Sequence, residues 1–127
     1  MTTDSPNQNP LALVIEDDQK LADIFAQALI VAGFETEIIG DGQAALERLA
    51  ISIPALVVLD LQLPSVSGDK ILQRIRADER LARTRVLLAT ADDRLAERLR
   101  KDSDMVLLKP ISFSQLRDLA ARLRSVI

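Results

Sequence analysis

The sequence contains no cysteine and no histidine. Without cysteine, a disulfide framework and thiolate metal sites are both excluded. Without histidine, neither Ser-His nor Cys-His nucleophilic catalysis is available. Any chemistry must therefore rest on Asp, Glu, Ser, Thr, Lys and Arg side chains.

Aromatic residues and excess positive charge are also missing. The chain has three Phe, no Trp and no Tyr, and its formal net charge is −3. Proteins that bind nucleic acids directly usually present basic grooves and aromatic side chains on which bases stack. The composition therefore argues against direct nucleic-acid binding by this chain.

Long apolar runs are absent as well. None approaches the ~20 residues that a membrane span requires, and the polar start MTTDSPNQNP lacks the apolar core of a signal peptide. We therefore expect no membrane association and a cytoplasmic location. The 127 residues, 48% of them hydrophobic and 28% charged, fit one globular domain. Residues 1–10 are expected to form a flexible N-terminal tail and residues 11–127 the domain.

Predicted strands and helices alternate along the whole domain. Short apolar runs typical of strands are followed by segments with the apolar spacing of amphipathic helices. Strands are predicted at 11–15, 34–39, 55–59, 86–89 and 105–108, and helices at 20–32, 43–50, 69–77, 94–100 and 113–126. Such alternation predicts an α/β fold, in which five βα units form a five-stranded parallel sheet with helices on both faces.

Polar residues follow four of the five predicted strands. They are Glu16, Asp17 and Asp18 after the first strand, Asp60 after the third, Thr90 after the fourth and Lys109 after the fifth. In such sheets ligands bind beyond the carboxyl ends of the strands. Carboxylates brought together there repel each other, and Mg²⁺, which prefers oxygen ligands, offsets that repulsion. With a hydroxyl and an ammonium nearby, the set predicts a site for phosphoryl transfer.

Four motifs in this order resemble a known family. The segments VIEDD (14–18), VVLDLQLPSVSG (57–68), ATA (89–91) and LLKP (107–110) are similar to those of response regulator receiver domains, the CheY-like proteins. The resemblance spans nearly everything after the tail. It implies a flavodoxin-like strand order 2-1-3-4-5 and a role in two-component or phosphorelay signal transduction.

The resemblance also implies a role for each site residue. Asp60 would accept a phosphoryl group from a sensor histidine kinase, a phosphotransfer protein or a small phosphodonor. Thr90 would move toward that group and Lys109 would pair with it. For Mg²⁺, Asp17 and Asp60 would be direct ligands, Gln62 would supply its backbone carbonyl, and Glu16 would act through water. Such a domain is a phosphoacceptor that assists its own phosphorylation and dephosphorylation, not an enzyme in the ordinary sense. It would act on a downstream effector protein, as a monomer or weak homodimer.

The chain departs from the family pattern at one informative position. Val106 stands where receiver domains usually carry an aromatic switch residue, so activation here is expected to act mainly through the backbone around Thr90. Gln62 and Asp92 match variable positions that tune phosphoryl hydrolysis, and an effect of Asp92 on the lifetime is expected. Lys109-Pro110 matches a peptide bond that is usually cis in the family.

Other interpretations of these residues remain open. Asp17 and Asp18 could simply cap the first helix, although capping by Asp18 is compatible with the site. The chain could be a pseudo-receiver, a protein-interaction module that works without phosphorylation. A Mg²⁺-dependent phosphohydrolase of the haloacid dehalogenase type is a third class, but such enzymes carry a second Asp where this chain has Gln62.

Overall fold

The computed structural model describes residues 8–127, which contain one sheet of five parallel strands in the order β2-β1-β3-β4-β5. The strands are β1 (Leu11–Ile15), β2 (Glu35–Ile39), β3 (Leu56–Asp60), β4 (Arg85–Thr90) and β5 (Met105–Leu108). The helices are α1 (Gln19–Val31), α2 (Gly42–Ala50), α3 (Gly68–Ala77), α4 (Asp93–Leu99) and α5 (Phe113–Ser125), with short 3₁₀ turns at Glu79–Leu81 and Arg100–Asp102. The predicted doubly wound fold and strand order are confirmed.

The sheet separates two apolar cores. Alternate residues of each central strand point to opposite faces, so that in β1 Ala12 and Val14 join the α1 and α5 side. Leu13 and Ile15 join the other side, which α2, α3 and α4 cover. All of β3 is buried. This burial on both faces explains why the central strands are continuous apolar runs in the sequence.

Helix boundaries follow local signals. Asp18 caps α1 by accepting a hydrogen bond from the Leu21 amide, which confirms its predicted capping role. At the other end Gly33 takes a positive φ of 106°, a conformation that glycine adopts without steric cost. The observed α1 begins and ends one residue before the predicted limits, which is within the usual uncertainty of helix ends.

Strands β3 and β4 each end one residue later than predicted. Asp60 and Thr90 are the last residues of their strands rather than the first residues beyond them. The reason is the parallel ladder, because Asp60 still pairs with Ala89 and Thr90 with Leu108. The polar side chains are therefore held by the sheet itself.

Residues 1–7 of the predicted tail lie outside the described residues. Residues 8–10 are irregular, but the carbonyl of Pro10 accepts a hydrogen bond of 2.9 Å from the amide of Glu35. The sheet contacts therefore begin one residue before the predicted domain boundary. Between residues 8 and 127, no helix is long and apolar enough to cross a bilayer.

Candidate functional site

Three carboxylates meet at the carboxyl edge of the sheet. Glu16 and Asp17 follow β1, and Asp60 ends the neighbouring strand β3. One oxygen from each carboxylate lies within 4.8 Å of the other two. Glu16 and Asp60 are buried, with 2% and 4% of their surface exposed, whereas Asp17 is exposed. The cluster therefore has an inner pair and one carboxylate open to solvent.

The environment of Asp60 makes its ionised form costly. Burial raises the pKa of Asp60 to about 6, and the carboxylate of Glu16 contributes in the same direction. The amide of Gln62, which donates to Asp60 Oδ1 at 3.1 Å, and the ammonium of Lys109 both act to lower that pKa. The result is a buried carboxyl group whose pKa lies closer to neutral pH than usual, and a bound cation would favour its ionised form.

Lys109 supplies a positive charge between the two buried carboxylates. Its Nζ lies 2.9 Å from Glu16 Oε1 and 3.5 Å from Asp60 Oδ1. Burial acts to lower the pKa of Lys109, but the hydrogen bond to Glu16 and the charges of Asp60 and Glu16 outweigh it, so that this pKa is raised. The Lys109-Pro110 peptide bond is cis, as expected.

Glu16 has both carboxylate oxygens engaged. Oε1 accepts from Lys109, and Oε2 accepts from the backbone amide of Asp18 at 3.1 Å. The sequence does not predict the pairing of Glu16 with Lys109, which lies 93 residues away. These two hydrogen bonds hold Glu16 beside Asp60, whereas no side-chain hydrogen bond within residues 8–127 restrains the Asp17 carboxylate.

Thr90 lies on the strand next to Asp60 and is connected to helix α4. Its Oγ1 accepts a hydrogen bond of 3.0 Å from the amide of Asp92. The Asp92 carboxylate in turn caps α4, because Oδ1 accepts from the amides of Arg94 and Leu95 at 3.1 Å each. The hydroxyl, the following loop and the start of α4 thus form one hydrogen-bonded unit.

The donor set suits a hard divalent cation. Together, these three carboxylates and the Lys109 ammonium carry a formal charge of −2, and the three carboxylates offer oxygen ligands. Such ligands match the preference of Mg²⁺, which is commonly bound by one or two carboxylates and retains waters. The residues present therefore fit a magnesium site.

Comparisons with known proteins agree with this geometry. Residues 12–121 match the family model described as the response regulator receiver domain. The chain belongs to the response regulator receiver family. The transcriptional regulatory protein CutR of Streptomyces coelicolor is 39% identical over 117 residues, covering 90% of this chain and 52% of CutR. The sensory transduction protein RegX3 of Mycolicibacterium smegmatis is 36% identical over 118 residues, covering 91% of this chain and 49% of RegX3.

A solved receiver structure shows the same fold. The receiver domain of the Francisella response regulator 1452 superposes with a TM-score of 0.80 at 27% identity, over 93% of this chain and 98% of that one. The receiver described here spans about half the length of CutR and RegX3. It is a receiver domain of two-component response regulators.

The position of the usual switch aromatic lies on the edge strand of this receiver. Val106 is half-buried in β5 and packs against the core that faces α2, α3 and α4. It has no ring that could move between buried and exposed positions. That activation acts mainly through the backbone around Thr90 stays a prediction.

Proposed function

We propose that Asp60 is the phosphoacceptor of this receiver. The observation that carries this proposal is the buried carboxylate at the end of β3, with the Lys109 ammonium 3.5 Å from its Oδ1. An oxygen of Asp60 would attack the phosphorus of a phosphohistidine or a small phosphodonor. The bond from phosphorus to the leaving group breaks, its electrons leave with that group, and an acyl phosphate remains on Asp60.

The other residues would act on the transferred group. Lys109 pairs with the phosphoryl oxygens as a fixed positive charge, and the Thr90 hydroxyl moves to donate a hydrogen bond to them. Glu16 keeps the Lys109 ammonium beside Asp60. Asp92 remains a candidate for tuning the lifetime of the acyl phosphate, although one of its oxygens is engaged in capping α4.

We further propose that Mg²⁺ is the cofactor. Asp17, Asp60 and the backbone carbonyl of Gln62 would hold it directly, and Glu16 would reach it through water. The engaged oxygens of Glu16 support an indirect role for that residue. When bound, the metal supplies positive charge to offset the negative charge of the carboxylates and of the incoming phosphoryl group.

The biological setting follows as a set of proposals. A sensor histidine kinase or a phosphotransfer protein would supply the phosphoryl group, and the altered surface would be recognised by a downstream effector. The receiver would turn over only its own acyl phosphate and would act as a monomer or weak homodimer. A cytoplasmic location and the absence of direct nucleic-acid binding remain predictions.

The test is the intact mass of the protein after incubation with acetyl phosphate or phosphoramidate and Mg²⁺. One phosphoryl adduct is expected for the natural chain, and none for Asp60→Asn or after addition of EDTA. Mass is the suitable readout because the chain has no Trp to report by fluorescence. An adduct that persists in Asp60→Asn would place the phosphoacceptor elsewhere.

The pseudo-receiver is the second candidate, and Val106 is the observation that favours it. A receiver without a switch aromatic could bind its partner in one form only. The absence of any adduct with every small donor, in a folded protein, would favour this function over phosphoacceptance.

A further inference from the structure

The loop that follows Asp60 is closed at its base. This β3–α3 loop, residues 61–67, contains Gln62, whose backbone carbonyl is a proposed magnesium ligand. The amide of Gly68 donates to the carbonyl of Leu61 at 3.2 Å, and the amide of Gln62 donates to Asp60 at 3.1 Å. The start of the loop is therefore tied to β3.

The far end of the loop is attached to a different element. Ser65 Oγ donates to Asp41 Oδ1 at 2.7 Å and accepts from the amide of Gln43 at 3.3 Å. Asp41 is the N-cap of α2, where its second oxygen accepts from the amide of Ala44 at 2.9 Å. The hydrogen bond from Ser65 is the main cause that lowers the pKa of Asp41. Asp41 thus serves the helix and the loop together.

The loop and the start of α2 also fit closely. A Cβ atom at Gly42 would collide with the backbone carbonyl of Val66, so that only glycine permits this approach. Ser65 has a φ of 65°, in the left-handed region that residues other than glycine, Asn and Asp seldom adopt. The conformation at Ser65 therefore depends on contacts with α2 more than on its own backbone preference.

From these contacts we propose that Asp41 and Ser65 are positioning residues for the magnesium site. Their hydrogen bond fixes the β3–α3 loop against α2 and so restricts where the Gln62 carbonyl can lie. Without the bond, the loop would spend part of its time in other conformations, and the apparent metal affinity would fall by the fraction lost. This inference rests on the proposed function, because it takes Mg²⁺ as the ligand of the site.

The experiment compares Mg²⁺ dissociation constants by calorimetry, together with Mg²⁺-dependent amide shifts of Asp17 and Gln62 in NMR spectra. Ser65→Ala removes the hydroxyl, and Ser65→Gly removes it while allowing the left-handed backbone without steric cost. Both are expected to weaken Mg²⁺ binding measurably, by up to about five-fold, the limit set by the loss of a typical net hydrogen bond. Ser52→Ala is the matched control, since Ser52 Oγ also donates a hydrogen bond, to the Arg48 carbonyl at the other end of α2.

The second readout is the effect of Ser65→Ala on Mg²⁺ binding in a protein that already carries Asp41→Ala. In an Asp41→Ala protein, Ser65→Ala is expected to cause a much smaller loss of affinity than in the natural chain, because the closer partner of the hydroxyl is already gone and only the 3.3 Å contact with the Gln43 amide remains. Additive losses, or natural affinity in Ser65→Ala or Ser65→Gly, would overturn the positioning role while leaving Mg²⁺ binding by the natural chain intact. Failure of the natural chain to bind Mg²⁺ would overturn the proposed magnesium site and this inference with it.

Discussion

Replacement of Lys109 by methionine keeps an unbranched side chain of similar length and removes its charge. Lys109 Nζ lies 3.5 Å from Asp60 Oδ1, and opposite unit charges at that distance attract by about 5 kcal/mol at an effective dielectric of 20. Because 22% of the Lys109 side chain is exposed, water screens part of this attraction. We therefore assign about 2 kcal/mol to the lost contact with the phosphoryl oxygens, the usual range for a hydrogen bond to a charged group. This value corresponds to a roughly thirty-fold slower phosphorylation of Asp60.

The same substitution should act in the opposite direction on the metal. The Lys109 ammonium competes with Mg²⁺ for the carboxylate oxygens of Glu16 and Asp60, so its removal is expected to tighten Mg²⁺ binding. The two effects separate a phosphate-pairing role from general damage to the site, which would weaken both processes together.

The assay is the initial rate of adduct formation by intact mass, with acetyl phosphate and saturating Mg²⁺, alongside calorimetric titration of the metal. Lys101→Met is the control, because Lys101 is exposed and lies in the 3₁₀ turn before β5. Natural phosphorylation rates in Lys109→Met would refute the reasoning. So would a joint loss of rate and metal affinity with an unchanged Tm.

Three further predictions concern the packing and the titration of the site. Gly68→Ala would place a Cβ against the Asp60 carbonyl; we expect a loss of about 2 kcal/mol in the free energy of unfolding, measured in urea, and slower phosphorylation. An unchanged midpoint would show that α3 can shift freely. Thr84→Val would leave the Pro54 carbonyl without the buried hydrogen bond of 2.7 Å that it accepts from Thr84 Oγ1; about 1–2 kcal/mol of stability should be lost, and a loss below the error of a urea titration would contradict this. Burial raises the pKa of Asp60 from 3.8 to about 6, so the folded state binds a proton more tightly than the unfolded state, and the contribution of this group to stability falls as pH rises between those values. Carbon-detected NMR of the metal-free protein should show Asp60 titrating near the higher value, and titration near the lower one would contradict the burial argument.

The fold was predictable because its determinants are local and repeated. The strands β1 and β3 are continuous apolar runs in the sequence, which is typical of strands covered on both faces. Parallel strands place their carboxyl ends at one edge, and the adjacency of β1 and β3 in the strand order brings Asp60 near the acidic residues that follow β1. The strand order itself came from the family resemblance, since the alternation of strands and helices does not determine it.

Contacts between distant side chains were not predictable in the same way. The hydrogen bond between Lys109 and Glu16 joins residues 93 positions apart, and it depends on side-chain directions that periodicity does not contain. The link between Asp41 and Ser65 was missed for the same reason. The only available signal was an Asp before an amphipathic helix, in the Gly40-Asp41-Gly42 turn, which indicates a helix cap and nothing more.

The hydroxyl of Thr90 has two prospective uses. In the structure it accepts a hydrogen bond from the amide of Asp92, and the proposed movement toward a phosphoryl group on Asp60 would stretch or break that bond. Arrival of the phosphoryl group would then deprive the first turn of α4 of one anchor, in a helix that buries only Ala96 and Leu99. The resting contact would then hold the receiver in its unphosphorylated form, and the energy needed to break it would be part of the threshold for signalling. In a receiver with a valine at position 106, the beginning of α4 would then be the place where an effector reads the phosphorylation state.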